Sequence, residues 1–391
     1  MTTGTPAPRV AYVLLHEPRY SETFITSEIR AVRDAGAVVE VFAARGGAGR
    51  LGEAGQVAAA ALRHPVRLVR HLRALGLSDL PRAVLAAAFA VRLSRRVAAF
   101  RPDVVHTHFV NLPTAVAALV ARELGRPATA LAHAADFLLD TDPAGLDRRL
   151  RLLSHLFVIS DAAARQLTER GADLRRIPHS VVRAAFDGAQ HDRAARPAGG
   201  ATTLVTVARL IAKKGVDTAV DAVARLAAAG VDVRYEVYGD GPLLDDLRRR
   251  ADRGGVAGRV RFHGAVPHEV ATRALAAADV AVLPCRRAPD GDLDGIPVFL
   301  MEAASRGVPV VTTAVSGIPE LVGADGGWLV PPDDPAALAA AIREITADPA
   351  AQDRRTRMLR ARIQDEFSPA LQAQRLLRHW RALCGDTPAW H

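Results

Sequence analysis

Asp290-Gly-Asp-Leu-Asp294-Gly-Ile-Pro297-Val-Phe-Leu-Met-Glu302-Ala-Ala-Ser-Arg306-Gly-Val-Pro309-Val-Val-Thr-Thr reads as an acidic loop, a short helix and a strand. Pro297 suits the first helical position, where its missing N–H would be unpaired in any case. The pattern predicts a helix over Val298 to Arg306, a left-handed cap at Gly307, and a buried strand over Val308 to Thr312. Open N–H groups at such a helix start attract anions, phosphates above all. Asp294 stands before that start and Glu302 about a turn and a half inside it. Carboxylates cannot hold phosphate, but they accept hydrogen bonds from hydroxyls. A phosphate beside several hydroxyls describes a sugar nucleotide.

Working outward, 391 residues are too many for one ordinary core and point to two domains. With 49% hydrophobic and 24% charged residues the chain has the balance of a globular protein in water. The polar, proline-bearing opening does not read as a signal peptide, and the apolar run Ala83 to Val91 is too short to span a bilayer. Cys285 and Cys384 form neither a disulfide framework nor a zinc spacing, so the cytoplasm is the expected compartment. The formal charge of +9 invites a nucleic-acid reading. Only Lys213 and Lys214 are lysines, however, and arginine is spread along the whole chain. That distribution describes a basic exterior, not a dedicated patch, and no nucleic-acid partner is expected.

Strands at Val10–Leu15 and Val38–Ala43 flank an amphipathic helix over Ser21 to Gly36, and this β-α-β opening predicts a parallel sheet with right-handed crossovers. No G-x-G-x-x-G follows the first strand, so a nicotinamide-type dinucleotide site is not supported. Arg63, Arg67, Arg70 and Arg73 fall on one side of a helix, with Leu62, Val66, Val69 and Leu72 on the other. The arginine side is either a solvated face or a contact with anionic lipid headgroups. His106 and His108 share a face of the strand Asp103–Phe109; without a third ligand nearby they do not make a metal site. Further strands are predicted up to Ile177–Val182. The second half repeats the rhythm from Thr202–Val207 through Val233–Tyr238, Arg259–His263, Val280–Leu283 and Trp328–Val330.

Arg209 and Lys214 follow directly on the strand Thr202–Val207, where a doubly wound sheet binds ligands. A guanidinium fork and an ammonium together offset most of a diphosphate's charge. Arg209-x4-Lys214-Gly215, Gly239-x-Gly241-Pro242, Asp294-x7-Glu302 and Ser316-Gly-Ile-Pro-Glu320 together resemble the family-4 retaining glycosyltransferases. Pro18-Arg-Tyr-Ser21-Glu-Thr-Phe24 and Asp103-Val-Val-His-Thr-His-Phe resemble the branch that builds exopolysaccharides such as colanic acid.

The resemblance implies an α/β fold of the GT-B type, two Rossmann-like domains facing across a cleft. Residues 1–184 would be the acceptor domain, 185–200 a linker and 201–366 the nucleotide-sugar domain. Residues 367–391 would return as a helix to the first domain. It further implies that Arg209 and Lys214 bind the donor diphosphate with the Val298 and Phe299 amides. Gly239, Gly241, Gly295, Ile296 and Pro297 would line the donor site. Glu302 would take the ribose, Asp294 the transferred sugar, and His133 would lie beside that sugar, near its C6 hydroxyl or the phosphate. Ser21, Glu22 and Thr23 would face the phosphates. Aspartate replaces the family's usual glutamate at 294, and Ser21-Glu22 its Gly-Gly turn.

The reaction implied is retaining, metal-free transfer of a hexosyl group from a nucleoside-diphosphate sugar, UDP-hexose foremost, with no cofactor. The acceptor would be a glycan, a lipid-linked sugar or a small aglycone. A GT-B sugar phosphorylase and a non-catalytic sugar-nucleotide or nucleic-acid binding protein are the alternatives. Peripheral contact with the inner face of the plasma membrane is the further partner expected.

Overall fold

The computed structural model describes residues 7–18, 23–45, 50–76, 78–140, 142–184, 186 and 200–385. Two compact units result, one of Met1–Ala185 with Pro369–His391 and one of Phe186–Ser368.

In the first unit the strands are β1 (Arg9–Leu14), β2 (Val38–Ala43), β3 (Val104–His108), β4 (Ala128–Ala132), β5 (His155–Val158) and β6 (His179–Val181). All pair in parallel in the order β2-β1-β3-β4-β5-β6. β3 and β4 are buried along their whole length, as parallel strands covered on both faces must be. The terminal helix Pro369–Gly385 packs on the helix Thr23–Asp34. Its Trp380 Nε1 donates to Thr129 Oγ1 on β4 at 3.1 Å, and Gln372 Oε1 accepts from the Arg183 amide.

The second unit holds β7 (Thr202–Val207), β8 (Val233–Tyr238), β9 (Val260–Phe262), β10 (Val280–Leu283), β11 (Val310–Thr313) and β12 (Trp328–Val330). They too are parallel, in the order β12-β11-β10-β7-β8-β9. In each sheet the chain starts inside, runs to one edge and then builds the other way. The order therefore reverses between β1 and β3 in one sheet and between β7 and β10 in the other. Ligands of doubly wound sheets bind outside the carboxyl ends of the strands at such a reversal.

The deciding stretch folds nearly as read. Its helix is Val298–Ser305, and Pro297 takes the capping position before it in an extended conformation (ψ 128°), one place earlier than expected. Gly307 adopts the left-handed φ of 68°. The strand that follows is β11, two residues later than the β-branched run suggests, because Val308 still closes the helix through the Ala303 carbonyl.

A larger departure concerns the arginines of helix Pro65–Leu75 and the end of helix Arg50–Arg63. The apolar side expected to pack inward is in solvent: Leu62 is 84% exposed, Val66 81% and Val69 48%. Arg67 instead turns to Glu123, a carboxylate 6% exposed, which His71 also approaches at 2.9 Å. A buried carboxylate needs a cation more than the core needs two more valines, and that sets the helix's rotation.

Candidate active site

The reversal between β7 and β10 brings together residues 80 positions apart. After β7 the chain passes Arg209 and enters one turn of 3-10 helix, Ala212–Lys214, ended by Gly215 in the left-handed region (φ 63°). A Cβ on Gly215 would stand 1.9 Å from the Pro284 carbonyl oxygen after β10, so glycine lets the two strand ends close up. Lys214 Nζ then lies 2.8 Å from Asp294 Oδ2, with Cys285 Sγ donating to the same oxygen at 3.4 Å. Lys213 Nζ pairs with Asp292 at 2.9 Å and reaches Asp294 Oδ1 at 3.5 Å.

These four side chains are mostly buried, between 13% and 17% exposed. For Lys214 and Asp294 burial opposes the charge, and the partners more than reverse it. The Lys214 pKa is raised above its ordinary value by Asp294, and that of Asp294 lowered by Lys214 and Lys213. Burial, the Asp294 carboxylate beside it included, pushes the Cys285 thiol well up, so it stays a thiol.

Three further groups of this unit are open. Arg209 is exposed and its guanidinium makes no ion pair with the described residues. The amides of Val298 and Phe299 begin the helix Val298–Ser305 without a side-chain cap. The Glu302 carboxylate is half-buried; burial raises its pKa, partly offset by His268 and Arg306, and it accepts no hydrogen bond from the described residues. Two anion-seeking groups and an unsatisfied acceptor suit a diphosphate and a diol.

Gly239 and Gly241 have a packing reason of their own. A Cβ at 239 (φ 130°) would fall 1.9 Å from the Ala208 carbonyl oxygen, and one at 241 would fall 2.5 Å from that of Leu210. Their absence lets Ala208 and Leu210 donate to Tyr238 and Asp240 at 2.9 and 3.0 Å, which fixes the backbone on either side of Arg209.

Similarity to known proteins agrees with this geometry. Residues 201–348 match the family described as glycosyl transferases group 1, and residues 21–183 match glycosyltransferase family 4. The protein named as colanic acid biosynthesis glycosyltransferase WcaL of Salmonella typhimurium is 32% identical over 373 residues, spanning 86% of this chain and 90% of its own. The chain belongs to glycosyltransferase family 4. Among solved structures, a sucrose-phosphate synthase from Thermosynechococcus elongatus superposes with a TM-score of 0.74 at 19% identity, over 97% of this chain and 99% of its own. Anabaena HepE, solved with UDP and glucose, gives 0.69 at 17% identity, over 96% of this chain and 100% of its own. At such identities these two show the fold alone, which is GT-B.

In the glycosyltransferase's first unit, His133 follows β4 and borders a cavity of about 300 Å³ at the β1/β3 reversal, lined also by His16, His108, Phe109 and Asp136. Its ring lies 3.1 Å from His108 Nδ1 and packs on Phe24 and Phe109. Thr23 opens the helix Thr23–Asp34, whereas Ser21 and Glu22 lie outside the described residues. Gly295, Ile296 and Pro297 form the turn from Asp294 into the helix Val298–Ser305, with Ile296 in the core.

Two groups were not anticipated. Glu28 is buried against His106 and His108, so these histidines do have a third possible ligand: one donor atom from each lies within 4.8 Å of the others. The signal was present, since Glu28 sits inside the apolar stripe Ile25, Ile29 and Val32 of its helix. Asp136 is the other. Its Oδ2 accepts from the Val110 and His133 amides at 2.7 and 3.2 Å, its Oδ1 is buried without a partner, and burial raises its pKa to about 7.

Proposed function

We propose that this glycosyltransferase moves a hexosyl-type group from a nucleoside-diphosphate sugar, UDP-hexose foremost, to an acceptor hydroxyl, with retention at the anomeric carbon and without a metal or other cofactor. The observation that carries the reading is the β7/β10 reversal, where Lys214 and Asp294 meet 2.8 Å apart. In the same unit the Arg209 guanidinium and the Val298 and Phe299 amides stand open. The leaving group is a diphosphate, and stabilising its growing charge is the main catalytic task. Arg209, Lys214 and the amides supply that positive potential. Glu302 holds the ribose hydroxyls and Asp294 a hydroxyl of the transferred sugar. His133 lies beside that sugar.

Asp294 already balances Lys214, so a sugar hydroxyl that engages Asp294 frees part of the lysine's charge for phosphate. A lysine-bound carboxylate is a better acceptor of hydrogen bonds than a nucleophile toward carbon. This favours same-face, oxocarbenium-like substitution over a covalent glycosyl intermediate. Both lysines are held by Asp292 and Asp294, which speaks against a phosphorylase that needs a lysine for a cofactor.

HepE binds UDP and glucose, which supports UDP as the carrier. The name of WcaL supports an acceptor in exopolysaccharide synthesis, and lipid-linked sugars and small aglycones offer the same hydroxyl chemistry. The deciding experiment presents UDP- and GDP-sugars with candidate acceptors, follows nucleoside diphosphate release, and reads the product's anomeric configuration by NMR. Release of UDP with retained configuration is expected; an inverted product, or binding without turnover, contradicts the reading.

Peripheral contact with an anionic membrane also belongs to the proposal, on a surface the structure redefines. Leu62, Val66 and Val69 are exposed together with Arg63, Arg70 and Arg73, the mixture of an interfacial helix. No described helix is long and apolar enough to cross a membrane. Co-sedimentation with phosphatidylserine vesicles that is lost in Val66→Asp/Val69→Asp is expected; a wild-type protein that never sediments rules the contact out.

A further inference from the structure

Phe109 follows β3 with a backbone that a phenylalanine seldom adopts. Its φ is 71°, in the left-handed region, where a bulky side chain is an outlier. Strand side chains alternate, so an extended Phe109 would point to the opposite face of the sheet from His108. The left-handed turn keeps both rings on one side instead. Between ring centroids, Phe109 lies 6.4 Å from His108, 4.9 Å from His133 and 6.3 Å from Phe24.

Three hydrogen bonds hold this turn in place. The Phe109 amide donates to the Leu131 carbonyl at 3.0 Å, and the Phe109 carbonyl accepts from Thr114 Oγ1 at 2.9 Å. The next amide, that of Val110, donates to Asp136 Oδ2 at 2.7 Å. Strain that its surroundings over-determine in this way clusters where a fold presents a group to a ligand. The core is not the beneficiary, since the Phe109 ring is only half-buried while Val110 beside it is fully buried.

Phe109 is a wall of the cavity of about 300 Å³ at the β1/β3 reversal, which has the size of a small-molecule site. Leu14, Ile25 and Pro113 are further apolar walls, and His16, Asn111 and Asp136 are polar groups on its border. Asn111 occupies the capping position of the helix Leu112–Leu124, yet its side chain makes no cap hydrogen bond. Among the described residues no lysine or arginine borders the cavity. A pyranose suits such a lining. Its C–H face is apolar and slightly positive, matching the negative face of an aromatic ring, and its hydroxyls stand at the rim. A phosphorylated or acidic sugar would meet no cation.

We propose that Phe109 is the stacking plate of the acceptor subsite, and that the acceptor enters the β1/β3 cavity as an uncharged pyranose ring. This deepens the proposed function and rests on its reading of the second unit as the nucleotide site, which leaves the cavity of the first unit to the acceptor.

The test is saturation-transfer difference NMR of the full-length protein, with and without UDP, using the methyl glycosides of glucose, galactose and mannose as probes. At least one glycoside should receive saturation, more at its ring C–H protons than at its methoxy group. Its affinity should weaken about tenfold in Phe109→Asn, the effect of losing one aromatic contact. Asparagine tolerates the left-handed φ and removes the ring, so the melting temperature should not fall, and calorimetry should give the wild-type affinity for UDP. Should that variant fail to fold, Phe109→Leu, which keeps apolar bulk without a flat face, gives the same comparison. The 6-phosphate of the preferred sugar should bind more weakly than the sugar itself. No saturation of any glycoside in the wild type, equal glycoside affinity in the variant, or a preference for the 6-phosphate would each overturn the proposal. Phenol that receives saturation where no glycoside does would overturn it in favour of an aromatic aglycone. UDP that binds neither protein would strike the nucleotide reading of the second unit, and the spectra recorded without UDP would still judge the plate.

Discussion

Asp294 and Glu28 are both buried carboxylates kept ionised, and they achieve it by different means. Asp294 has fixed cations: Lys214 at 2.8 Å and Lys213 at 3.5 Å. Glu28 has only imidazoles and a phenol, with His108 at 3.0 Å and Tyr12 at 2.9 Å. Lysines hold their charge across the working pH range, so the first centre is an electrostatic device of constant strength. A neutral imidazole donates at one ring nitrogen and accepts at the other, so the second centre holds its carboxylate through hydrogen bonds. The first arrangement suits a phosphate that must be neutralised; the second holds side chains of the fold in place. Both folded-state pKa values are depressed, so both centres stabilise the protein above the unfolded carboxylate pKa and lose that contribution as pH falls through the folded value.

Breaking the lysine centre should have the largest effect. Lys214→Ala is expected to reduce transfer by about 10²–10³-fold, as loss of one charge-stabilising donor does. It also leaves Asp294 with Lys213 alone, so the protein should be destabilised in denaturant. Adding Asp294→Ala should recover stability without recovering activity. Stability unchanged in the single variant would mean that the pair is energetically idle.

Glu302→Ala sharpens the contrast inside the second unit, because this carboxylate makes no ion pair or hydrogen bond with the described residues and is open to hydroxyls. Calorimetry should show donor binding weakened by about 1.5–3 kcal/mol, and unchanged affinity would remove Glu302 from the site.

Asp136, beside His133, is the counterexample to both centres, since burial raises its pKa to about 7. A raised carboxyl pKa makes stability fall as pH climbs from the unfolded value to about 7. Asp136→Asn keeps an oxygen for the Val110 and His133 amides and removes that titration. Its melting temperature should exceed the wild type's more at pH 8 than at pH 5, by roughly 2–4 °C for each kcal/mol recovered. A gain equal at both pH values would contradict the assignment.

The smallest effects belong to the surface arginines. Arg63→Gln and Arg73→Gln should change stability by no more than about 0.5 kcal/mol. Arg67→Gln strips Glu123 of its closest cation and should cost clearly more in the same denaturation experiment. Equal costs would mean that the helix's rotation is not set by Glu123.

The alternation of apolar runs with amphipathic helices made both parallel sheets legible, and the punctuation around Gly307 and Gly215 located the turns of the candidate site. Three things were not legible, each for a physical reason. That Lys214 and Asp294 pair could not be read from residues 80 apart, because only the reversal of strand order brings β7 beside β10. The inward side of helix Pro65–Leu75 could not be read from periodicity, which defines two faces; Glu123, from another helix, chooses between them. Glu28 was visible in an apolar stripe, but its partners His106 and His108 come from a strand paired elsewhere in the sheet.

The central claim is that the β7/β10 reversal of the second unit binds the nucleoside diphosphate through Lys214. Isothermal titration of UDP into the wild type and into folded Lys214→Ala tests it most directly. The account predicts at least about a tenfold loss of affinity, some 1.4 kcal/mol, and UDP binding to both proteins with the same affinity would contradict it.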